Sequence, residues 1–204
     1  TVSTFTYTRT SKSITVVATG EDKTSSIKYA FSKDNGNTWT TKQTANSYTF
    51  NELLSGTYNI KVRVYDQAGN YLDSAAQSIS TVTIDKPTYS VNPSSGWAMS
   101  KTVTINYPSG YTNEYSLDGA QTWHKYTGPI EFTESGTIVA RVHDGKNYVT
   151  ASSQTVAQVD SDKPTSSTFT YTRTSKAIYV TASGTDATSS IEYAFSKDNG
   201  NTWT

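Results

Sequence analysis

The sequence predicts an all-β protein built as a tandem array of two-layered β units, two complete and the N-terminal half of a third. Three observations lead there. Thr, Ser, Tyr and Val are abundant and helix formers scarce, and β-branched and aromatic side chains suit a pleated, half-buried surface. A turn-rich stretch, Ser32-Lys33-Asp34-Asn35-Gly36-Asn37-Thr38-Trp39, returns unchanged at Ser196 to Trp203 and in altered form at Ser116-Leu117-Asp118-Gly119-Ala120-Gln121-Thr122-Trp123. Finally, residues 1–40 overlay residues 165–204 at an offset of 164 with 32 of 40 positions identical. Self-similarity of this kind marks repeat architecture.

The differences between the two copies are informative. From 13 to 24 they fall only at odd positions: Ser13/Ala177, Thr15/Tyr179, Val17/Thr181, Thr19/Ser183, Glu21/Thr185 and Lys23/Ala187. A strand has a side-chain period of two, so drift on alternate positions marks one face as solvent and the other as packed. Ile14, Val16 and Ala18 are therefore predicted to point inward.

In order, strands are predicted near 3–8, 13–19, 27–32, 38–40, 47–50, 57–65 and 75–84. Each turn-rich stretch follows a short apolar strand (Tyr29-Ala30-Phe31, Glu114-Tyr115, Tyr193-Ala194-Phe195) and is read as a hairpin tip. Asn and Asp tolerate left-handed backbone, and Gly takes it without steric cost. Tyr58 to Tyr65 alternates apolar with polar over four cycles, the pattern of a half-buried strand. A second series follows near 88–91, 101–107, 112–117, 123–126, 129–133, 136–143 and 148–159. There Ile138, Ala140 and Val142 form the inward face, and Asp144-Gly145-Lys146-Asn147 turns the chain. Pro87 and Pro164, 77 residues apart, sit in stiff joints, because proline fixes its own φ and extends the residue before it. The boundaries are 1–84 (type A), 85–160 (type B, with the unshared insert Asn92 to Ser100) and 161–204 (truncated type A). About 40 residues rarely fold alone, so the incomplete C-terminal domain is expected to pair with neighbouring repeats or chains.

Composition excludes several functions. Lys plus Arg and Asp plus Glu are equal at 17 each, leaving no electrostatic footprint for nucleic acid. The longest apolar run, Ile14 to Ala18, is far short of a membrane span. Without cysteine there are no disulfides, thiolate nucleophiles or Cys-based zinc sites. No signal peptide or anchor is read, and because the first residues already form a strand pattern, the sequence looks cut from a longer one.

The stretch Leu53 to Asn70 resembles the corner and sixth strand of immunoglobulin-like and fibronectin type III sandwiches, where a Tyr near the strand start ties down the corner; Tyr58 holds that position. Together with the Tyr-x-Phe-Ser-x-Asp-x-Gly-x-Thr-Trp hairpin, Val62-x-Val64-Tyr65-Asp66-x-Ala68-Gly69-Asn70 and the Asp-Lys-Pro-Thr joints, the chain resembles tandem bacterial Ig-like domains of secreted and cell-surface proteins. That family supplies a scaffold rather than one activity. The resemblance implies an extracellular, secreted or surface-attached, non-enzymatic array serving as stalk, spacer, fibre segment or adhesin. The turn motif also resembles the Asp box of sialidases and other propeller proteins, though Ala120 departs from it. There the box is structural, and repeats roughly 80 residues apart exceed one propeller blade.

Each candidate site has two readings. In the hairpins, Asp34, Asp118 and Asp198 accept loop N–H bonds, Gly36 and Gly200 take left-handed backbone, and Trp39, Trp123 and Trp203 fold over the base. Alternatively the three tryptophans, with Trp97 in its irregular loop, bind a glycan or a host-surface ligand. Asp85, Asp160 and Asp162 lie at the joints, where gathered carboxylates suit a hard cation; calcium is the one cofactor the sequence admits. His124 and His143 lack zinc or triad spacing, and the scattered Glu52, Glu114, Glu131 and Glu134 do not form a glycosidase pair.

Overall fold

The computed structural model describes residues 2–204, apart from the side chains of residues 2, 3, 166 and 167. The elements are β1 (Val2–Arg9), β2 (Ile14–Gly20), β3 (Lys28–Ser32), β4 (Ser47–Phe50), β5 (Thr57–Tyr65), β6 (Tyr71–Asp73), β7 (Gln77–Ser80), β8 (Thr88–Asn92), β9 (Lys101–Asn106), β10 (Thr112–Ser116), β11 (His124–Lys125), β12 (Ile130–Phe132), β13 (Glu134–His143), β14 (Tyr148–Thr150), β15 (Gln154–Asp160), β16 (Thr165–Arg173) and β17 (Ile178–Thr185). No helix occurs among the described residues. Contacts divide the chain into two compact units. One comprises Thr1–Pro87, Tyr107–Glu114 and Arg141–Ala151, the other Thr88–Asn106, Tyr115–Ala140 and Ser152–Thr204.

In the first unit, sheet β1-β2-β4 faces sheet β3-β5-β6, with β7 also paired to β5. Successive strands β2 and β3 lie in different sheets and β4 returns beside β2, which is the order of an immunoglobulin-like sandwich. The inner faces meet in one core of Phe5, Ile14, Val16 and Ala18 from one sheet and Phe31, Ile60, Val62 and Val64 from the other, closed by Phe50, Leu53 and Ile79. The odd/even reading of β2 holds: Ile14, Val16 and Ala18 are fully buried while Val17 is 39% exposed. In β5, Ile60, Val62 and Val64 alternate with partly exposed neighbours. Tyr58 donates its hydroxyl to the carbonyl of Leu54 at 3.0 Å, fixing the corner before β5 as its position suggests.

Three local expectations fail. Residues 38–40 form no strand; after the turn the chain is held at two places, where Thr40 N–H donates to Phe31 O and Thr40 Oγ1 accepts from Phe31 N–H, and where Tyr29 and Gln43 exchange both backbone bonds. The expected strand 75–84 is shortened to β7, and β6, which was not expected, precedes it: β5 pairs with β6 along Arg63–Tyr65 and with β7 along Thr57–Ile60. Ser74 makes the crossing, donating its N–H to Val62 O and accepting from Val62 N–H. The expected strand 148–159 divides in two, β14 pairing with the end of β13 and β15 with its start.

Sheet β12-β9-β8 and the sheet ordered β11-β10-β13-β14, with β15 paired to β13, repeat this order. β9 buries Val103 and Ile105, and β13 buries Ile138, Ala140 and Val142. Tyr89 on β8 accepts a bond from Ala140 N–H on β13 at 2.7 Å, so one phenol links these two strands. β16 and β17 form a separate two-stranded sheet.

Candidate functional site: tip turns, a docked turn and an exposed tryptophan

The three tip motifs share one construction. In the first, Ser32 donates its hydroxyl to Asp34, and Ser32 Oγ accepts from Gly36 N–H at 2.8 Å. Asp34 in turn accepts from both the N–H and the hydroxyl of Thr38. The Thr38 bonds, hydroxyl first, and then Ser32 lower the Asp34 carboxyl to about 2. Asn35 and Gly36 adopt φ of 62° and 89°. A Cβ on Gly36 would stand 3.2 Å from the Trp39 ring, so a side chain there is disfavoured both by the backbone and by the indole folded over it.

The other copies reproduce this. Asp118 is depressed by Ser116 first and then Thr122, and Asp198 is lowered to about 2 by Thr202 and then Ser196. In the middle copy, Ala120 takes the Gly36 position at φ 72°, and its N–H still reaches Ser116 Oγ at 2.9 Å. The serine that opens each motif was not singled out from sequence, although its place two residues before the aspartate is a local signal.

The tryptophans differ in environment. Trp39 is half-buried, with the Arg63 guanidinium 4.2 Å over its ring. Arg63 also lies 4.0 Å over Tyr71 and makes a two-pronged ion pair with Asp73, so a cation stands between two rings on the outer face of β5. Trp123 is half-buried. Trp203 is 64% exposed and donates its indole N–H to Gly200 O at 3.1 Å. Trp97 is 50% exposed. Its loop is pinned to β15 by Ala98 N–H to Gln158 O and Asp160 N–H to Ala98 O, and it shares a shallow groove with Met99, Asp160, Asp162 and Asp186.

Among the joint acids, Asp162 N–H donates to Asp160, and Asp85 is exposed. No group of three or more His, Asp or Glu able to hold a metal ion occurs among the described residues. His143 stacks on Tyr148 at 4.4 Å with Glu114 3.3 Å from its Nε2, and His124 is exposed near Tyr115.

A constellation that sequence reasoning missed lies within the first unit. Turn 144–147 docks onto the corners at 10–12 and 53–55. Ser11, itself buried, donates its hydroxyl to Asp144, and Lys12 Nζ donates to Asp144 O at 2.9 Å. Asn147 donates its amide to Ser11 O at 3.0 Å and Leu53 O at 3.2 Å, and accepts from Ser55 N–H at 2.8 Å. Burial pushes the Asp144 carboxyl up, but bonds from Asn147 N–H, Ser11 and Lys146 N–H outweigh it and hold the group at about 2. An Asp-Gly-Lys-Asn run signals only a turn; its partners lie more than ninety residues away in sequence.

A protein-family model, the Y_Y_Y domain, matches residues 20–83. A comparison with curated proteins finds no match. Among solved structures, the fibronectin(III)-like modules of Clostridium thermocellum CbhA are 18% identical, with 75% of this chain and 88% of that one covered and a TM-score of 0.34. The chicken CNTN1 FN1-FN3 domains are 12% identical, with coverages of 78% and 67% and a TM-score of 0.34. The chicken interferon gamma receptor alpha chain is 7% identical, with coverages of 76% and 96% and a TM-score of 0.33.

Proposed function

We propose that the chain is a segment of an extracellular, non-catalytic array of Ig-like sandwiches, divided at 1–84, 85–160 and 161–204, that works as a stalk, spacer or adhesive fibre of a bacterial surface protein. One observation carries this reading: the acid and hydroxyl groups of the recurring motif are consumed by their own turn. Asp34 is bonded to Ser32 and Thr38, Asp118 to Ser116 and Thr122, and Asp198 to Ser196 and Thr202. A carboxylate so engaged shapes backbone and has no poised proton to give or take. The docked turn 144–147 supports the same role, since its bonds tie together residues far apart in sequence within the first unit.

Pulling single molecules from their two ends tests the proposal. The first sandwich, about 80 residues at roughly 3.5 Å each, is expected to open as one event lengthening the tether by about 28 nm. Gradual extension without a discrete event refutes a load-bearing role.

A second reading, a glycan- or host-ligand-binding module, is favoured by Trp97, half-exposed on a loop pinned at Ala98. An aromatic ring presented on a fixed loop suits stacking against a sugar. Glycan-array binding lost in Trp97→Ala supports it, and binding that Trp97→Ala leaves intact removes Trp97 from it. Calcium at Asp85 in one joint, or at Asp160 and Asp162 in the other, is the associated cation proposal. A rise in melting temperature at millimolar calcium supports it, and an unchanged temperature rejects it.

A further inference from the structure

A cavity of about 760 Å³ opens within the first unit, lined by residues 9–12, Val82, the turn 109–112 and residues 143–144. Its size falls in the range of roughly 300–1,000 Å³ typical of small-ligand sites. The lining stretches are tied to one another. Buried Ser11 donates its hydroxyl to Asp144, Lys12 Nζ donates to Asp144 O at 2.9 Å, and Val82 N–H donates to Thr10 O at 2.9 Å. β10, which Thr112 opens, lies beside β13, which His143 closes. A lining fixed before anything enters it loses little freedom on binding.

The chemistry of the lining selects a class of ligand. Arg9 and Lys12 stand against a single carboxylate, Asp144. That carboxylate is already engaged, accepting from the Ser11 hydroxyl, the Asn147 side-chain amide and the N–H groups of Lys146 and Asn147. Arg9 is exposed and gives Nη1 to a neutral carbonyl, Ser80 O, at 2.9 Å; it pairs with no carboxylate among the described residues. Ser109 and Thr112 are exposed, and their hydroxyls have no partner among the described residues. Tyr111 is half-buried beside Gly110, whose φ of 87° shapes the turn. Aliphatic lining is confined to Val82, so an apolar peptide side chain finds little surface to bury against.

We propose that this cavity binds a sugar that carries a carboxylate. Arg9 takes the carboxylate, because a guanidinium presents a planar fork of donors matched to its two oxygens. Lys12, held by Asp144 O, adds a fixed positive charge. Ser109 and Thr112 each donate to and accept from ring hydroxyls, and Tyr111 offers a ring against which a sugar face packs. A neutral sugar leaves the guanidinium unused, and a bare anion leaves the hydroxyls and the ring unused. Trp97 lies in the other unit, so this site rests neither on binding there nor on the stalk reading.

The test titrates the full chain with tri-galacturonic acid, following amide shifts by NMR and affinity by calorimetry. Saturable one-to-one binding is expected, with shifts at Lys12, Gly110 and Thr112 and an affinity that falls as salt rises. Arg9→Gln should weaken it about tenfold and Tyr111→Ala several-fold. Lys23→Gln removes an exposed charge of the same unit outside the cavity and should leave binding unchanged. Unshifted β2 amides confirm that each variant is folded; if Arg9→Gln is not, Tyr111→Ala decides. No binding at millimolar ligand overturns the proposal, as does equal affinity for the corresponding neutral galactose trisaccharide or for acetate alone. Shifts confined to Trp97 and Ala98 also overturn it, while supporting the reading built on Trp97.

Discussion

Replacing Asn147 by Ala tests the docked turn where it bears most. The amide holds two backbone carbonyls, Ser11 O and Leu53 O, and one backbone N–H, Ser55. Leu53 is 2% exposed and Ser11 6%, so water reaches the two orphaned carbonyls poorly, whereas the Ser55 N–H belongs to an exposed residue that water can satisfy. At about 1 kcal/mol net for each lost hydrogen bond, these three and a fourth, from the amide to Asp144 Oδ2 at 3.2 Å, bound the loss at about 4 kcal/mol. Rehydration of the Ser55 amide and the half-buried Asp144 carboxylate brings the expectation to about 2 kcal/mol. With a urea slope of roughly 1–1.5 kcal/mol/M for a sandwich of this size, the midpoint falls by about 1.5 M. Because the chain holds more than one sandwich, a single global transition is the wrong observable. The assay is therefore urea-dependent amide exchange at Ser55 and within β2 and β5, where protection at Ser55 should drop first. Asn147→Asp separates packing from hydrogen bonding. It keeps the acceptor for Ser55 but sets a carboxylate against two carbonyls and Asp144, and should cost at least as much as Ala. An Ala variant within 0.5 kcal/mol of the parent, with Ser55 exchange unchanged, refutes the argument.

Three further outcomes are expected. Ala120→Gly relieves a left-handed alanine and should stabilise the middle tip by about 1 kcal/mol, seen as slower Thr122 amide exchange; no change would mean that φ 72° is not strained there. Tyr58→Phe removes the bond to Leu54 O and should cost about 1 kcal/mol, read as a lower midpoint for β5 amides, while an unchanged midpoint denies the corner its role. Acid should open the tips. Asp34 and Asp198 are held at about 2, below the usual 3.8, so their contribution is complete above pH 4, falls away between about 4 and 2, and is absent below. Thr38 and Thr202 amide protection should follow that window, and a transition near neutrality would contradict the assignment.

Much of the fold was legible because it is written in local period. Alternation along 57–65 and the odd-only drift between copies of 13–24 placed Ile14, Val16, Ala18, Ile60, Val62 and Val64 inside without reference to any partner. The tips were legible for a related reason, since Ser32, Asp34, Gly36 and Thr38 satisfy one another within seven residues. The corner tyrosine was readable through the resemblance of residues 53–70 to immunoglobulin-like corners. Partner choice was not readable. Whether the chain from 71 to 80 runs as one strand or two depends on which parts of β5 receive it, and Ser74 makes the crossing through bonds to both backbone groups of Val62. Ser11 and Asn147 carry ordinary turn composition, and nothing local in 144–147 announces partners at 11, 53 and 55. The stack of Trp39, Arg63 and Tyr71 escaped notice likewise, because its members come from a loop and two strands.

The near-identity of residues 1–40 and 165–204, with a different sequence between them, bears on how the chain avoids misfolding. The segment that carries β4 and β5 meets two stretches of nearly the same sequence during refolding. The residues between the copies carry a different pattern, so the competing partner is never the adjacent one. Reaching it means closing a loop of more than a hundred residues rather than a few tens, an entropic handicap of about 1 kcal/mol. That biases the race toward the correct match, while leaving strand exchange between separate molecules open at high concentration.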